Sequence, residues 1–261
     1  NPMPSVVPAM VRYVAAERAK ALHDPRAVTQ LTAQAERLVE RRGVPPPLDA
    51  YRLRGQAHEV LGEYEQARDI LTRAVEASRL NGDLEREWYA LIDLGAAWTE
   101  RDYEQAGVLY REAFELSQQL QDIEKVAHSL NRIGNWRANV GLRQEAIDAH
   151  QQALEMFEHL NDTEGRAQTL DYLGIVSYLA GQLRESAAYN RRAIDLFQEL
   201  GDRRATASTL AILAISGGGL DNEAVAVDQE VALNWRAIAD ESLTAARETG
   251  WRAGEAFALL T

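Results

Sequence analysis

The chain has 261 residues, no cysteine and a net charge of −12 at pH 7. Without cysteine it can form neither a disulfide nor a thiolate metal site. The acidic balance, with no continuous stripe of Lys and Arg, argues against a nucleic acid as a direct partner. No apolar window approaches the roughly 20 residues of a membrane helix, and the first twelve residues do not resemble a signal peptide. These features predict a cytoplasmic protein that contacts no membrane.

A period of about 40 residues governs most of the sequence. Gly95, Gly134 and Gly174 are 39 and 40 residues apart. Four aspartates have the same spacing: Asp83, Asp122, Asp162 and Asp202. Each period has the apolar pattern of two helices joined by a short turn. A repeat of this length indicates a solenoid, in which each repeat buries its apolar face against its neighbours.

The N-terminal residues 1–47 are predicted to contain a leader and a degenerate hairpin that caps the array. We expect its helices over residues 6–22 and 26–41, followed by the stiff spacer Pro45–Pro47. Four regular units follow over residues 48–202, namely 48–83, 84–122, 123–162 and 163–202. In the third unit we expect a first helix, a turn at Leu142-Arg143 and a second helix over residues 145–159.

Residues 203–250 form an irregular fifth unit. A first helix over 203–216 precedes Gly217–Gly219, which we interpret as a flexible hinge, because a phosphate-binding loop would need a preceding strand and a following Lys. The second helix is expected to be about three turns longer than in the other units. It is either continuous over 221–249 or broken near Leu233-Asn234. Residues 251–261 are predicted to begin a further helix.

These units resemble tetratricopeptide repeats over roughly residues 6–250. The resemblance is carried by the Leu94-Gly95 and Leu173-Gly174 pairs, by Glu145-Ala146 at the start of a second helix, and by Ala153 deep within it. The familiar period is about 34 residues. The longer period is similar to that of Pins-type adaptors, kinesin light chains, and the sensor arrays of bacterial signal-transduction ATPases and peptide-pheromone receptors. The resemblance implies an all-α, right-handed α-solenoid of helical hairpins, whose first helices line a concave groove.

A polar stripe marks the first helix of the third unit. Its members recur at spacings of three and four and therefore share one face: His128, Asn131, Arg132, Asn135 and Asn139. Carboxamides both donate and accept hydrogen bonds, so this stripe is suited to the backbone of an extended peptide. The alternative is an ordinary solvated helix face.

The neighbouring first helices would extend such a groove. Their candidate residues are Tyr89, Ile92, Asp93, Ala96 and Glu100 before the stripe, and Gln168, Asp171, Tyr172, Ile175 and Tyr178 after it. The acidic members favour a mixed or basic peptide over one bound by its terminal carboxylate.

No residue pattern points to catalysis, a metal or a cofactor. Five histidines are scattered among the units without the spacing of a zinc-binding helix, and we expect exposed or groove-lining imidazoles: His23, His58, His128, His150 and His159. Paired carboxylates lie on polar helix faces, where solvated charge is the ordinary explanation. The sequence predicts a chain that is not an enzyme.

Three functions fit this description. The first is a protein- or peptide-binding scaffold, as the interaction or sensor segment of a larger cytoplasmic regulator in signal transduction or transcription regulation. The second is a small-ligand or peptide-pheromone sensor that controls an attached effector domain. The third is homo-oligomerisation through the 221–249 helix, whose apolar residues are Val225, Val227, Val231, Leu233 and Trp235.

Overall fold

The computed structural model describes residues 7–21, 24–40, 48–99, 101–222 and 235–250, together with 254 and 259. Over these ranges every regular element is an α-helix and no strand occurs. The predicted all-α class is confirmed. The chain divides into two compact units, Asn1–Asp122 and Ile123–Thr261, which are called unit 1 and unit 2. None of the described helices is both long and apolar enough to cross a lipid bilayer.

Each unit is a succession of helical hairpins. Unit 1 contains α1 (Val7–Ala21), α2 (Pro25–Glu40), α3 (Leu48–Val60), α4 (Tyr64–Asn81), α5 (Leu84–Thr99) and α6 (Tyr103–Leu120). Unit 2 contains α7 (Ile123–Asn139), α8 (Arg143–Leu160), α9 (Thr163–Leu179), α10 (Leu183–Leu200), α11 (Arg203–Asn222) and α12 (Trp235–Glu248). Within a unit, each helix packs against the next one along the chain.

In four hairpins, a glycine of the first helix lets a second-helix side chain lie directly against the first-helix backbone. Four such glycines lie against a buried second-helix residue: Gly55 against Leu71, Gly95 against Tyr110, Gly134 against His150, and Gly174 against Asn190. A β-carbon added at Gly134 would lie 2.5 Å from Cε1 of His150, which is too close for any real contact. The prediction that recurring small residues mark the close approaches is confirmed.

Aspartates of the 40-residue period cap the first helices. The Asp162 carboxylate accepts a hydrogen bond from the Gly165 backbone N–H at 3.0 Å, and the Asp202 carboxylate accepts one from Ala205 at 2.9 Å. Asp83 does the same for Arg86 at 3.0 Å. These carboxylates satisfy donors that the first turn of a helix leaves without partners. The period seen in the sequence is therefore a period of helix caps as well as of packing contacts.

The fifth hairpin departs from the prediction. Helix α11 continues through Gly217–Gly219 to Asn222, so the expected hinge after Ser216 is wrong. Glycine weakens a helix by roughly 1 kcal/mol but, unlike proline, keeps its N–H donor, so the helical hydrogen bonds continue. Residues 223–234 lie outside the described residues, as do the Pro45–Pro47 spacer and most of 251–261. The question of a continuous 221–249 helix, and of oligomerisation through it, therefore stays a prediction.

Candidate functional site

Four residues of the predicted polar stripe share one face of α7. His128, Arg132 and Asn135 are half-buried and Asn139 is exposed. The His128 ring lies edge-on to Phe157, with 5.0 Å between ring centroids. Burial lowers the pKa of His128, although nearby carboxylates, Glu124 first among them, oppose the shift. The stripe at neutral pH therefore offers one cation, Arg132, and neutral polar groups.

A cleft of about 390 Å³ lies at the His128 end of this face. Its polar lining includes Glu124, Asp162, Glu164 and Gln168. Two of its carboxylates already serve α9: Asp162 caps the helix, and Glu164 accepts a hydrogen bond from Gln168 at 3.1 Å. The cleft is thus an acidic edge to the stripe, and one oxygen of Asp162 and one of Glu164 already accept hydrogen bonds within the fold.

Asn131, the fifth predicted member of the stripe, is buried at 5 % exposure. Its Nδ2 donates to Oγ1 of Thr169 on α9 at 2.8 Å, and its Oδ1 lies 2.9 Å from Nδ1 of His150 on α8. The Thr169 hydroxyl in turn donates to the Gly165 carbonyl at 2.7 Å. The prediction that Asn131 contacts a ligand is wrong, because this side chain joins three helices of its own chain.

The prediction of an exposed or groove-lining imidazole at His150 is also wrong. It is 1 % exposed, and burial lowers its pKa to about 3. Because Asn131 Oδ1 can only accept, Nδ1 of His150 carries the hydrogen. Its Nε2 has no hydrogen-bond partner among the described residues. The ring is therefore a neutral part of the core, and it lies 5.4 Å from the ring of Tyr172, between centroids.

A second row of residues lies on α9, one period after the stripe. Gln168, Tyr172 and Ile175 stand 40 residues after His128, Arg132 and Asn135, and all three are half-buried. Tyr178, near the end of α9, is half-buried as well. The Asn131–Thr169 hydrogen bond joins α7 directly to α9, so the two rows lie side by side.

A third row on α11 was not singled out from the sequence. Ser208, Ile212 and Ile215 follow the α9 row by another 40 residues and are half-buried. The signal that could have found them is the same period, which was not extended into the irregular fifth unit. We call the three rows the first-helix surface of unit 2: His128, Arg132, Asn135 and Asn139 on α7, Gln168, Tyr172 and Ile175 on α9, and Ser208, Ile212 and Ile215 on α11. Its composition changes from polar on α7 to mainly apolar on α11.

Asp171 lies at the junction of α9 and α11. Its Oδ1 accepts a hydrogen bond from Oγ1 of Thr209 at 2.7 Å. The side chain is only half-buried by area, yet protein atoms surround the carboxylate closely enough to raise its pKa to about 6. Burial disfavours the charged form, and the Thr209 hydrogen bond offsets this only in part.

The predicted residues of unit 1 lie on or beside α5. Asp93 was expected to meet a cation of the ligand, but its Oδ2 already accepts from Nε of Arg52 at 2.8 Å and from Nε2 of Gln56 at 3.0 Å. The Arg52 guanidinium also lies 4.4 Å from the centroid of the Tyr89 ring. This carboxylate is therefore neutralised within unit 1. The other predictions here are Ile92 and Ala96, which are half-buried, and Glu100, which is outside the described residues.

Over the described residues, no group of three or more His, Asp and Glu side chains is placed to hold a metal ion. The first-helix surface of unit 2 places hydrogen-bonding side chains next to aromatic and aliphatic ones. Ligand-binding sites commonly have this composition, because they combine apolar contact area with a few placed polar groups.

Comparisons with known proteins agree with this architecture. Residues 125–199 match the tetratricopeptide repeat family, so this part of the chain consists of tetratricopeptide repeats and the resemblance drawn from the sequence is confirmed. No curated protein matches the sequence.

Several solved structures share the fold at low sequence identity. BtubC (BKLC) from P. vanneervenii is 17 % identical with a TM-score of 0.65, over 94 % of this chain and 91 % of that one. A Rap protein complexed with competence and sporulation factor is 13 % identical with a TM-score of 0.67, over 95 % and 72 %. The apo quorum sensor NprR from B. thuringiensis is 14 % identical with a TM-score of 0.70, over 96 % and 68 %. At these identities the likeness establishes the fold alone.

Proposed function

We propose that this chain is a non-catalytic scaffold that binds a protein or peptide segment along the first-helix surface of unit 2. One observation carries the proposal. Three rows of side chains, half-buried except for the exposed Asn139, lie on the surface outside the core that contains the Asn131–His150 hydrogen bond. The rows are polar on α7 and mainly apolar on α11. Tetratricopeptide repeats use the same stacked hairpins for many partners, so the identity of the ligand depends on the surface residues and not on the fold.

The rows supply complementary parts of a peptide site. The amide of Asn135 can both donate to and accept from a peptide backbone, as can that of Asn139. Tyr172, Ile175 and Ile212 can take apolar side chains, and a partly buried tyrosine is the kind of residue that dominates binding energy at interfaces. Because hydrogen bonds between neighbouring first helices fix the spacing of the rows, little conformational entropy would be lost on binding.

A capture experiment tests this proposal. The intact protein is immobilised and offered a pool of random hexapeptides, acetylated and amidated, and the retained sequences are resynthesised for affinity measurements. Tyr172→Ala and Asn135→Ala should each weaken their binding, Tyr172→Ala by about tenfold, or roughly 1.4 kcal/mol. The matched controls are Tyr103→Ala and Gln152→Ala, which truncate exposed residues of second helices. Equal affinity in all four variants would contradict the proposal.

We further propose that the chain acts as the interaction or sensor segment of a larger cytoplasmic regulator. The observation that favours a sensor is that similar structures include a Rap protein described with competence and sporulation factor and another described in complex with the Phr* peptide. A sensor must change conformation when it binds, since a ligand shifts only an equilibrium between states it binds unequally. Small-angle scattering curves with and without a retained peptide should therefore differ. Superimposable curves at saturation would contradict the sensor role and remain consistent with a binding scaffold.

A further inference from the structure

The Asp171 carboxylate has no positive partner within the described residues. Oδ1 is hydrogen-bonded to Thr209, whereas Oδ2 accepts no hydrogen bond from them, and no Lys, Arg or His nitrogen described in the structure lies within 4.0 Å of either oxygen. Burial, and not the charge of a neighbouring side chain, dominates the environment of this group. Asp171 is nevertheless only half-buried by area, so the residue keeps some contact with solvent.

This arrangement is unfavourable for the protein without a ligand. Enclosing a carboxylate without a cation destabilises its charged form. The shift of its pKa to about 6 reflects that penalty, yet at neutral pH most of the group remains ionised. The fold itself does not need the charge, because an asparagine at this position could accept the same hydrogen bond from Thr209. The ionised carboxylate at the edge of the first-helix surface of unit 2 thus lacks a compensating positive charge among the described residues.

Unit 1 contains an aspartate whose charge is compensated by a cation. There Asp93 is paired with Arg52, whose guanidinium also lies over the Tyr89 ring, 4.4 Å from its centroid. At Asp171 the adjacent residue is Tyr172, and the neighbouring surface residues on α9 and α11 are Ile175 and Ile212. A guanidinium or ammonium that entered from outside would find a carboxylate, an aromatic ring next to it in sequence, and aliphatic contacts for its methylene groups.

We propose that Asp171 is the anchor for an Arg or Lys side chain of the bound peptide, and that apolar peptide residues flank this basic residue. The inference rests on the proposed function of the same surface. Charge complementarity is its basis: a single enclosed carboxylate lacking a cation lies next to apolar rows, and a basic residue with apolar neighbours matches both. The other carboxylates near this surface already have partners: Asp162 caps α9, Glu164 is hydrogen-bonded to Gln168, and Glu124 Oε1 lies 3.9 Å from His128 Nε2.

The test uses the intact chain and the peptides retained by the capture experiment. Each retained peptide is resynthesised with Arg, with citrulline, which has the shape of Arg without its charge, and with Glu at every basic position. Termini remain blocked, so that only side chains carry charge. In the wild-type protein, at one position, citrulline should weaken binding at least tenfold relative to Arg. In Asp171→Asn the same ratio should fall below about threefold.

The matched control is Asp195→Asn, which removes the same charge from an exposed position on α10. It should keep the wild-type ratio, which separates a local anchor from the general attraction of an acidic protein for basic peptides. An equal loss of selectivity in both variants, or no loss in Asp171→Asn, would overturn the anchor while leaving peptide binding in place. Retention of peptides without any basic residue would overturn it as well. If no peptide is retained, the proposed function fails and the inference falls with it.

A second readout does not need a ligand. Asp171→Asn removes an enclosed charge and keeps the hydrogen bond to Thr209, so the variant without peptide should melt at a higher temperature than the wild type at pH 7.5. A lower melting temperature would show that the carboxylate is already compensated within the fold, and would contradict the proposal. Added stability together with lost selectivity is the combination that identifies a residue kept for binding.

Discussion

His150 donates its Nδ1 hydrogen to the side-chain oxygen of Asn131 across 2.9 Å, and both residues are enclosed by their own hairpins. The contact fixes the orientation of the Asn131 amide, whose nitrogen must then point to Thr169 on the next first helix. A single asparagine therefore links the inside of one hairpin to the adjacent hairpin. What remains available to a ligand on α7 is the row beside it.

Asn131 and Asn135 should separate stability from binding. Asn131→Ala leaves the His150 donor and the Thr169 hydroxyl without this partner, and we expect a loss of about 2 kcal/mol in the free energy of unfolding. Asn135→Ala removes a half-buried side chain from the surface and should change that free energy by less than about 0.5 kcal/mol. Urea unfolding followed by circular dichroism measures both. Similar losses in the two variants would show that the asparagines do not differ in role.

The Gly134 contact predicts a coupled pair of substitutions. Gly134→Ala places a β-carbon 2.5 Å from the His150 ring and should destabilise the chain by about 1–3 kcal/mol, despite the better helix propensity of alanine. In a His150→Ala background the obstruction is gone, so the same substitution should be neutral or stabilising. Unfolding of the two single variants and the double variant gives the coupling. Additive effects would mean that Gly134 is required for some other reason.

Unfolding at two pH values tests the buried imidazole. The pKa of His150 is about 3 in the folded chain and about 6.5 when unfolded, so between these values only the unfolded chain takes up the proton. Stability should therefore be complete above pH 6.5 and fall as the pH drops, by about 1.4 kcal/mol from this group at pH 5.5. His150→Asn should lack this part of the loss.

The comparison with His150→Asn also removes the contribution of Asp171. Its pKa is raised in the folded chain, so it works in the opposite direction: it favours folding at pH 4 relative to pH 7. That contribution is present in both proteins and cancels in their difference. An identical pH dependence of the wild type and the variant would contradict a neutral, proton-excluding His150.

The turn after α6 offers a stabilising substitution. Gln121 adopts a left-handed backbone conformation with φ of 54°, at a position where Gly82 and Gly201 stand in other repeats. A side chain in this conformation destabilises the folded chain by roughly 1 kcal/mol relative to glycine. Replacing it with glycine removes this cost, and the greater conformational freedom of glycine in the unfolded chain cancels only part of the gain. Gln121→Gly should therefore raise the free energy of unfolding by about 0.5 kcal/mol. Asn161→Gly should gain less, because asparagine tolerates this conformation better.

The sequence predicted the repeats well and the role of single polar residues poorly. Spacing alone located the close contacts at Gly134 and Gly174, since a fixed period repeats a fixed geometry. Spacing could not separate Asn131 from Arg132, because adjacent positions on a helix differ by only about 100° and both belong to a broad polar stripe. Asn131 is buried together with its two hydrogen-bond partners, a histidine 19 residues later and a threonine 38 residues later. No local sequence pattern indicates either pairing.

The fifth hairpin shows the opposite limit. Gly217–Gly219 has the composition of a break, yet the helix continues through it, because helix propensity is only a weak preference. Asp171 and Asp93 looked alike in the sequence as groove carboxylates. Only the structure separates them, since Arg52 and Gln56 reach Asp93 from an earlier repeat whereas no described cation reaches Asp171.

The most direct test of the proposed binding surface is to map a retained peptide onto the isoleucine methyl groups of the intact protein by nuclear magnetic resonance. Ile175, Ile212 and Ile215 lie on the first-helix surface of unit 2, whereas Ile147 and Ile194 are buried on second helices. Saturating peptide should shift the first three methyl signals and leave the other two nearly unchanged. Shifts confined to Ile147 and Ile194, or no shifts at a concentration that saturates binding, would contradict the assignment of this surface.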